Sequence, residues 1–165
     1  MTEPKTPQQL FDLLDDLGIE TETVSHPPVF TVEQAKELRG TLPGAHSKNL
    51  FLRNKKSRMF LLVALEDRGI DLKGLGDQLG IGRLSFGSPD RLMTYLGVIP
   101  GAVSPFAVVN DDTNEVRVFL DRGLLDNDRL NFHPLDNAQT TGIATDELIR
   151  FLEATGHPPE IVDLA

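Results

Sequence analysis

Two short segments about fifty residues apart carry the groups best suited to chemistry. One, Gly44-Ala45-His46-Ser47-Lys48-Asn49, runs into the apolar Leu50-Phe51-Leu52; the other, Gly101-Ala102-Val103-Ser104-Pro105, runs into Phe106. The first supplies a cation, a carboxamide and a hydroxyl at the expected mouth of a strand, where Lys48 can act as a fixed point charge toward a phosphate or a carbonyl. In the second, glycine lets backbone approach a ligand closely and proline stiffens the exit. Exposed amides of such a turn can stabilise the oxyanion of an ester under attack. Together the parts suit an ester with a phosphodiester tail.

No protein nucleophile accompanies them. Cysteine is absent, which removes thiol catalysis, thiolate metal sites and disulfides. Ser85 lies in Leu84-Ser85-Phe86-Gly87, without the preceding glycine of a nucleophile elbow, and reads as a strand hydroxyl facing a pocket. The four histidines, His26, His46, His133 and His157, include no HxH or HxxxH pair, so no metal is expected unless His26, His46 and His133 meet in space. His133, between Phe132 and Pro134, reads equally as a core histidine or as a polar group closing a pocket. Any chemistry here rests on positioning a substrate.

The elements that must hold these groups alternate along the whole chain. Thr6-Pro7 starts a helix whose inner face is Leu10, Phe11, Leu13, Leu14 and Leu17, ended by Gly18. A short strand at Glu22–Ser25 leads to His26-Pro27-Pro28, and Thr31 with Gln34 forms a capping box for a helix through Leu38. Asn49–Arg53 and Arg58–Leu65 read as a hairpin. Leu72–Leu79 is helical, Arg83–Phe86 extended, and Ser88-Pro89 opens a helix that Gly97 ends. Phe106–Asn110 and Val116–Asp121 suggest a second hairpin; Asn131–Pro134 and Thr140–Ile143 suggest short strands. Thr145 caps the last helix, and Ile161–Asp163 is a final strand. The pattern predicts one α/β domain of the α+β type over 1–165: a mixed, largely antiparallel sheet, curled or closed toward a barrel, with helices outside. Gly80-Ile81-Gly82 precedes a strand rather than a helix, so it is no phosphate loop.

The 39% apolar and 25% charged fractions are those of a soluble globular domain. No apolar run reaches the ~20 residues of a membrane helix, and Met1–Lys5 lacks the start of a secretory signal. A cytoplasmic protein with no membrane partner is expected. The net charge of −9 argues against indiscriminate nucleic-acid binding and against DNA. Its distribution says more: residues 1–35 carry −6, 36–91 carry +5 and 110–165 carry −8. This reads either as a lysine-rich turn in water or as one positive face suited to a few phosphates, with Arg53, Lys55, Lys56 and Arg83 as the candidate contacts.

Ser47-Lys48-Asn49-Leu50-Phe51-Leu52, Gly82-Arg83-Leu84-Ser85-Phe86, Gly101-Ala102-Val103-Ser104-Pro105 and Asn131-Phe132-His133-Pro134 follow one another as in the YbaK/prolyl-tRNA synthetase-associated editing domain family. The chain resembles that family from about Leu10 to Asp163, most closely its free-standing alanyl-tRNA(Pro) deacylase branch, ProXp-ala (PrdX-like). The resemblance implies a curled mixed sheet with surrounding helices, no metal or organic cofactor, and hydrolysis of alanine wrongly attached to tRNA(Pro). A site built for proline cannot strongly exclude a smaller side chain, which is why such errors arise.

It further implies that Lys48 and Asn49 hold the 3′-terminal nucleotide and aminoacyl group, and that Gly101, Ala102, Val103, Ser104 and Pro105 position the ester carbonyl. His133 would shape the amino-acid pocket, and a ribose hydroxyl of the substrate would orient the attacking water. The implied partners are the acceptor end of mischarged tRNA(Pro) and prolyl-tRNA synthetase. Alternatives are a deacylase for serine, cysteine or threonine esters, a non-catalytic aminoacyl-tRNA-binding module of the same fold, and an acidic protein-interaction domain.

Overall fold

The computed structural model describes residues 3–25 and 44–164. His26 and the helix expected between Thr31 and Leu38 lie outside the described residues. Within them are strands β1 (Thr21–Ser25), β2 (Ala45–Arg53), β3 (Met59–Leu65), β4 (Ser85–Phe86), β5 (Val116–Asp121), β6 (Arg129–Phe132), β7 (Gln139–Ala144) and β8 (Glu160–Val162). Four α-helices accompany them: α1 (Pro7–Asp16), α2 (Leu72–Leu79), α3 (Pro89–Leu96) and α4 (Thr145–Ala154).

The strands form one sheet in the order β1-β7-β6-β2-β3-β5-β8, with β4 added beside β2. The order is open, with β1 and β8 as separate ends, so the sheet is mixed and does not close into a barrel. Pairings β1–β7, β6–β7, β2–β3 and β2–β4 are antiparallel; β2–β6, β3–β5 and β5–β8 are parallel.

Local signals explain most elements. Thr6 accepts from the Gln9 amide while Gln9 Oε1 accepts from the Thr6 amide, closing the capping box of α1. Ser88 caps α3 through the Arg91 amide, and Gly97 ends it in the left-handed region. The apolar run of β3 is buried from Met59 to Ala64 because both its faces are covered. Met59, Leu61 and Val63 enter the large core with Phe106, Phe132 and Phe151. Phe60 and Leu62 enter a smaller one with Leu52, Leu75, Leu84 and Phe119. Each such side chain contributes about 1.5–3 kcal/mol on burial.

Three expectations are corrected. Phe106–Asn110 belongs to a 3-10 helix, Pro105–Asn110, rather than a strand. Pro105 to Val109 are all buried there, which a one-faced strand pattern could not provide. Thr145 is the first residue of α4 rather than its cap; Ala144 holds the cap position, and the Thr145 hydroxyl donates to the Asn127 carbonyl. Strand β2 begins at Ala45, four residues before the expected start, because β6 pairs with Ala45 and His46 from far along the chain.

A buried polar lock joins the end of α4 to the start of β5. His157 Nε2 lies 2.8 Å from Asp111 Oδ2 and Nδ1 lies 3.0 Å from the Thr155 carbonyl. The carboxylate accepts from Nε2, and the Thr155 carbonyl faces Nδ1. Burial pushes the Asp111 carboxyl up, but the His157 hydrogen bond and the amides of Val116 and Glu115 outweigh it and hold its pKa below the ordinary value.

Candidate functional site

Strand β2 carries the site, and its neighbours leave part of it uncovered. On one edge it pairs with β3 from Ser47 to Arg53. On the other, β6 pairs only with Ala45 and His46, and β4 only with Leu52 and Arg53. Between them no described strand pairs with Ser47, Lys48, Asn49 or Leu50 along that edge. The sheet forks there, and the backbone beside the two residues singled out in the sequence has no strand partner on that edge among the described residues. Gly44 sets the entry: its φ is +95°, and a Cβ would stand 2.7 Å from the Arg129 carbonyl of β6.

Side chains alternate along a strand, so Lys48 and Asn49 point to opposite faces. Asn49 projects with Ser47 and Phe51 toward the large core. Its amide donates to Ser47 Oγ at 3.2 Å, and Ser47 donates to the Asn131 carbonyl at 3.5 Å. Asn131 in turn donates to the Ala45 carbonyl, so these residues brace β2 against β6. Lys48 lies half-buried opposite Ala64 of β3. It makes no hydrogen bond or ion pair with a described residue, so its ammonium is available to a ligand. A ligand touching both residues must therefore lie across the open edge of β2.

The turn at 101–105 reaches the same core as Asn49. Ala102 and Phe106 are fully buried, and with Val103 they pack in the cluster of Phe51, Val63 and Phe132. The Phe106 ring meets Phe132 edge-on at 5.8 Å, placing the turn against the segment that ends in His133. Gly101 lies in a 3-10 turn, Pro100–Ala102, outside the positive-φ glycines. Its value is therefore the missing side chain rather than an unusual backbone. The Ala102 amide is not bare: it donates to the Ile99 carbonyl at 2.9 Å. Pro105 opens the next 3-10 helix, and Ser104 before it is fully buried.

Two buried polar atoms in this region, Asn49 Oδ1 and Ser104 Oγ, have no hydrogen-bond partner among the described residues. Such an atom costs about 1–3 kcal/mol where it stands, and a polar ligand would recover it. His133 is half-buried, and its Nδ1 lies 2.9 Å from the Gln139 carbonyl. A carbonyl only accepts, so Nδ1 carries the hydrogen. Among the described residues no three His, Asp or Glu side chains form a metal-binding group.

The basic residues divide. Lys55, Lys56 and Arg83 line one cleft of about 350 Å³ together with Asn54, Arg58 and Gly80–Gly82. Arg53 stands apart from that lining, in register with Ser85 of β4. Ser85 is exposed on this two-residue strand, so it does not face an enclosed pocket. Asn54, in the turn that joins β2 to β3, builds the cleft. Its buried side chain accepts from the Lys56 and Arg58 amides and donates to the Ile81 carbonyl. An asparagine at the head of a lysine-rich turn is the signal that could have shown it.

The sequence model of the aminoacyl-tRNA editing domain family matches residues 26–151. The chain is 39% identical over 158 residues to the prolyl-tRNA editing protein ProX of Acetoanaerobium sticklandii, covering 95% of this chain and 96% of that one. It is 31% identical over 105 residues to the multifunctional Ser/Thr-tRNA deacylase ProXp-y of Escherichia coli K12, covering 62% and 63%. A crystal structure assigned to a trans-editing enzyme for prolyl tRNA synthetase superimposes with a TM-score of 0.74 at 22% identity, over 96% of this chain and 95% of that one.

Proposed function

The chain belongs to the aminoacyl-tRNA editing domain family, and we propose that within it residues 1–165 act as a single trans-editing deacylase of alanyl-tRNA(Pro) in the cytoplasm. The observation that carries this reading is the fork in β2. It presents an uncommitted lysine on one side, and on the other a braced asparagine with an unpartnered, buried carbonyl oxygen. An aminoacyl ester has matching parts: a phosphate tail and a carbonyl for the cation, and an ammonium for the amide oxygen.

In the reaction, water adds to the ester carbonyl and the carbonyl oxygen takes the negative charge. The bond to the ribose oxygen then breaks, and that oxygen leaves with a proton. Lys48 stabilises negative charge at the carbonyl or the adjoining phosphate. Asn49 holds the amino group, and the Gly101–Pro105 turn fixes the carbonyl. No side chain near the fork serves as nucleophile, so the reaction depends on placement of ester and water.

Ala102, Val103, Phe132 and His133 wall the amino-acid pocket in this reading. Ala102 and Phe132 are buried in the packed core, and forcing extra methylenes against such walls costs about 1–3 kcal/mol. At ~1.4 kcal/mol per factor of ten, alanyl-tRNA(Pro) should be cleaved about ten- to a hundredfold faster than prolyl-tRNA(Pro). The experiment is to assay purified protein against tRNA(Pro) charged with alanine, proline, serine, threonine or cysteine. Seryl esters should fall between, and His133→Ala should admit larger amino acids before alanine hydrolysis is lost. Equal hydrolysis of alanyl and prolyl esters would overturn the reading. Preference for seryl or threonyl esters would move the protein toward the activity named for its E. coli relative.

A further inference from the structure

Phe86 is 63% exposed, the one large aromatic ring left exposed among the described residues. It is not a loose side chain. Leu52 pairs with Phe86 and Arg53 with Ser85, and the Gly87 amide donates to the Phe51 carbonyl at 2.9 Å. A side chain at Gly87 would run into the Phe51 ring, so the glycine lets β4 seat against β2 and fixes the ring beside it. Residues paired across antiparallel strands project to the same side. Phe86 therefore stands on the Leu52 face of β2, the face that also carries Lys48 and Leu50. Leu52 and Leu84 on that face are buried in the smaller core, and Phe86 extends past them.

One cation shares the ring's face: Lys48 lies four residues along it, whereas Arg53, opposite Ser85, projects from the other side, and exposed Arg83 is three residues before the ring in sequence. Asp90, in the first turn of α3, is the nearby acidic residue in sequence. An exposed ring on a strand face shared with a lysine is suited to single-stranded nucleic acid, with a base stacked on the aromatic face and a phosphate on the charge. From Lys48 to the Phe86 pair is about 13 Å along the strand at ~3.3 Å per residue. An ester at Lys48 thus leaves the ring to meet a base upstream of the esterified nucleotide.

We propose that Phe86 is the stacking platform for an unpaired cytosine of the tRNA's 3′-terminal CCA, clamping the strand while Lys48 engages the ester end. The proposal rests on the editing reading for its substrate, but not for its test. Uncharged tRNA(Pro) carrying fluorescent pyrrolocytosine at either CCA cytosine is titrated with wild-type protein and with Phe86→Leu and Phe86→Trp. Stacking quenches the probe in wild type and in Phe86→Trp. Phe86→Leu, which keeps the apolar bulk, should lose the quench and bind about 5- to 150-fold more weakly, the size of one base–aromatic stack.

With mischarged substrate, Phe86→Leu should raise KM by a similar factor and change kcat little, with an unaltered melting temperature. Equal quenching and equal KM in Phe86→Leu would overturn the stacking role and leave editing standing. If no ester were hydrolysed by wild type while the quench still depended on an aromatic ring at 86, editing would fall and stacking would stand.

Discussion

Asp111 and His157 sit 2.8 Å apart with side chains 1% exposed, and their polar atoms are bonded to each other, to the Val116 and Glu115 amides and to the Thr155 carbonyl. Asn49 and Ser104 are also in apolar surroundings, yet Asn49 Oδ1 and Ser104 Oγ lack any described partner, and Lys48, on the opposite face of β2 from Asn49, is uncommitted. The first group meets its hydrogen-bonding demands from within and fastens α4 to β5. The second leaves demands open, which a folded chain tolerates where a ligand arrives to meet them. For these two groups the state of the polar atoms marks the difference more clearly than burial does.

The largest expected effect strikes the scaffold side of this contrast. His157→Ala strands a buried carboxylate, and breaking such a pair costs about 3–5 kcal/mol. For a domain of this size that lowers Tm by about 6–20 °C in a thermal melt, while deacylation per folded molecule stays near wild type. The pH dependence follows from Asp111. Its folded pKa is lowered, so the lock's contribution is present above the unfolded carboxyl value of ~3.9 and is lost as pH falls through the lower folded value. His157→Ala should therefore unfold at a higher pH in acid titration than wild type does. An unchanged acid midpoint would show that the pair contributes nothing to stability.

Lys48→Ala comes next and strikes the other side. In the proposed role its charge faces the ester, so turnover should fall by on the order of 10²-fold or more with Tm near wild type. Near-normal turnover in a folded Lys48→Ala protein would remove the lysine from the site.

Smaller again is the effect of salt. With three or four contacts from the basic cleft and Arg53, and ~0.7 counterion released by each on single-stranded RNA, the log–log slope of tRNA affinity should be about −2 to −3. Lys55→Ala and Lys56→Ala should each flatten it by about 0.7; a slope much steeper would mean a larger footprint.

Ser104→Ala is the gentlest change and sharpens the contrast most. An unpartnered buried hydroxyl contributes nothing to the fold, so its removal should leave stability within about 1 kcal/mol of wild type or raise it, while activity drops. Destabilisation well beyond that, read by denaturant titration, would return Ser104 to the scaffold.

What could be read from the residues follows the reach of the forces involved. The Thr6–Gln9 box, the Ser88-Pro89 start and the β2–β3 hairpin are set by neighbours within a few positions, and each lies where the sequence places it. Phe106–Asn110 misled because Phe-Ala-Val-Val has strand propensity, whereas a core closing on every side selected a 3-10 helix. The early start of β2 depends on β6, and no local signal announces a parallel partner. At the candidate site, residue types single out Lys48, Asn49 and the turn at 101–105. The pleat that sends Lys48 and Asn49 to opposite faces follows from strand alternation, but the fork between β6 and β4 required the sheet. Phe86 gave no warning, since Leu84-Ser85-Phe86 alternates like a strand with both apolar residues inward.

The wiring of that sheet also sets when a newly made chain can work. Ser47 finds the Asn131 carbonyl across 84 residues, and the Thr23 and Thr141 hydroxyls meet across 118. Ribosomes add roughly 5–20 residues each second, so Ser47 waits about 4–17 s for the segment that braces it. Until then neither the fork nor the proposed pocket wall of Phe132 and His133 is assembled. In the proposed reading, synthesis therefore delivers no half-built deacylase beside the ribosome: the brace and the proposed pocket wall emerge together, on the same few residues.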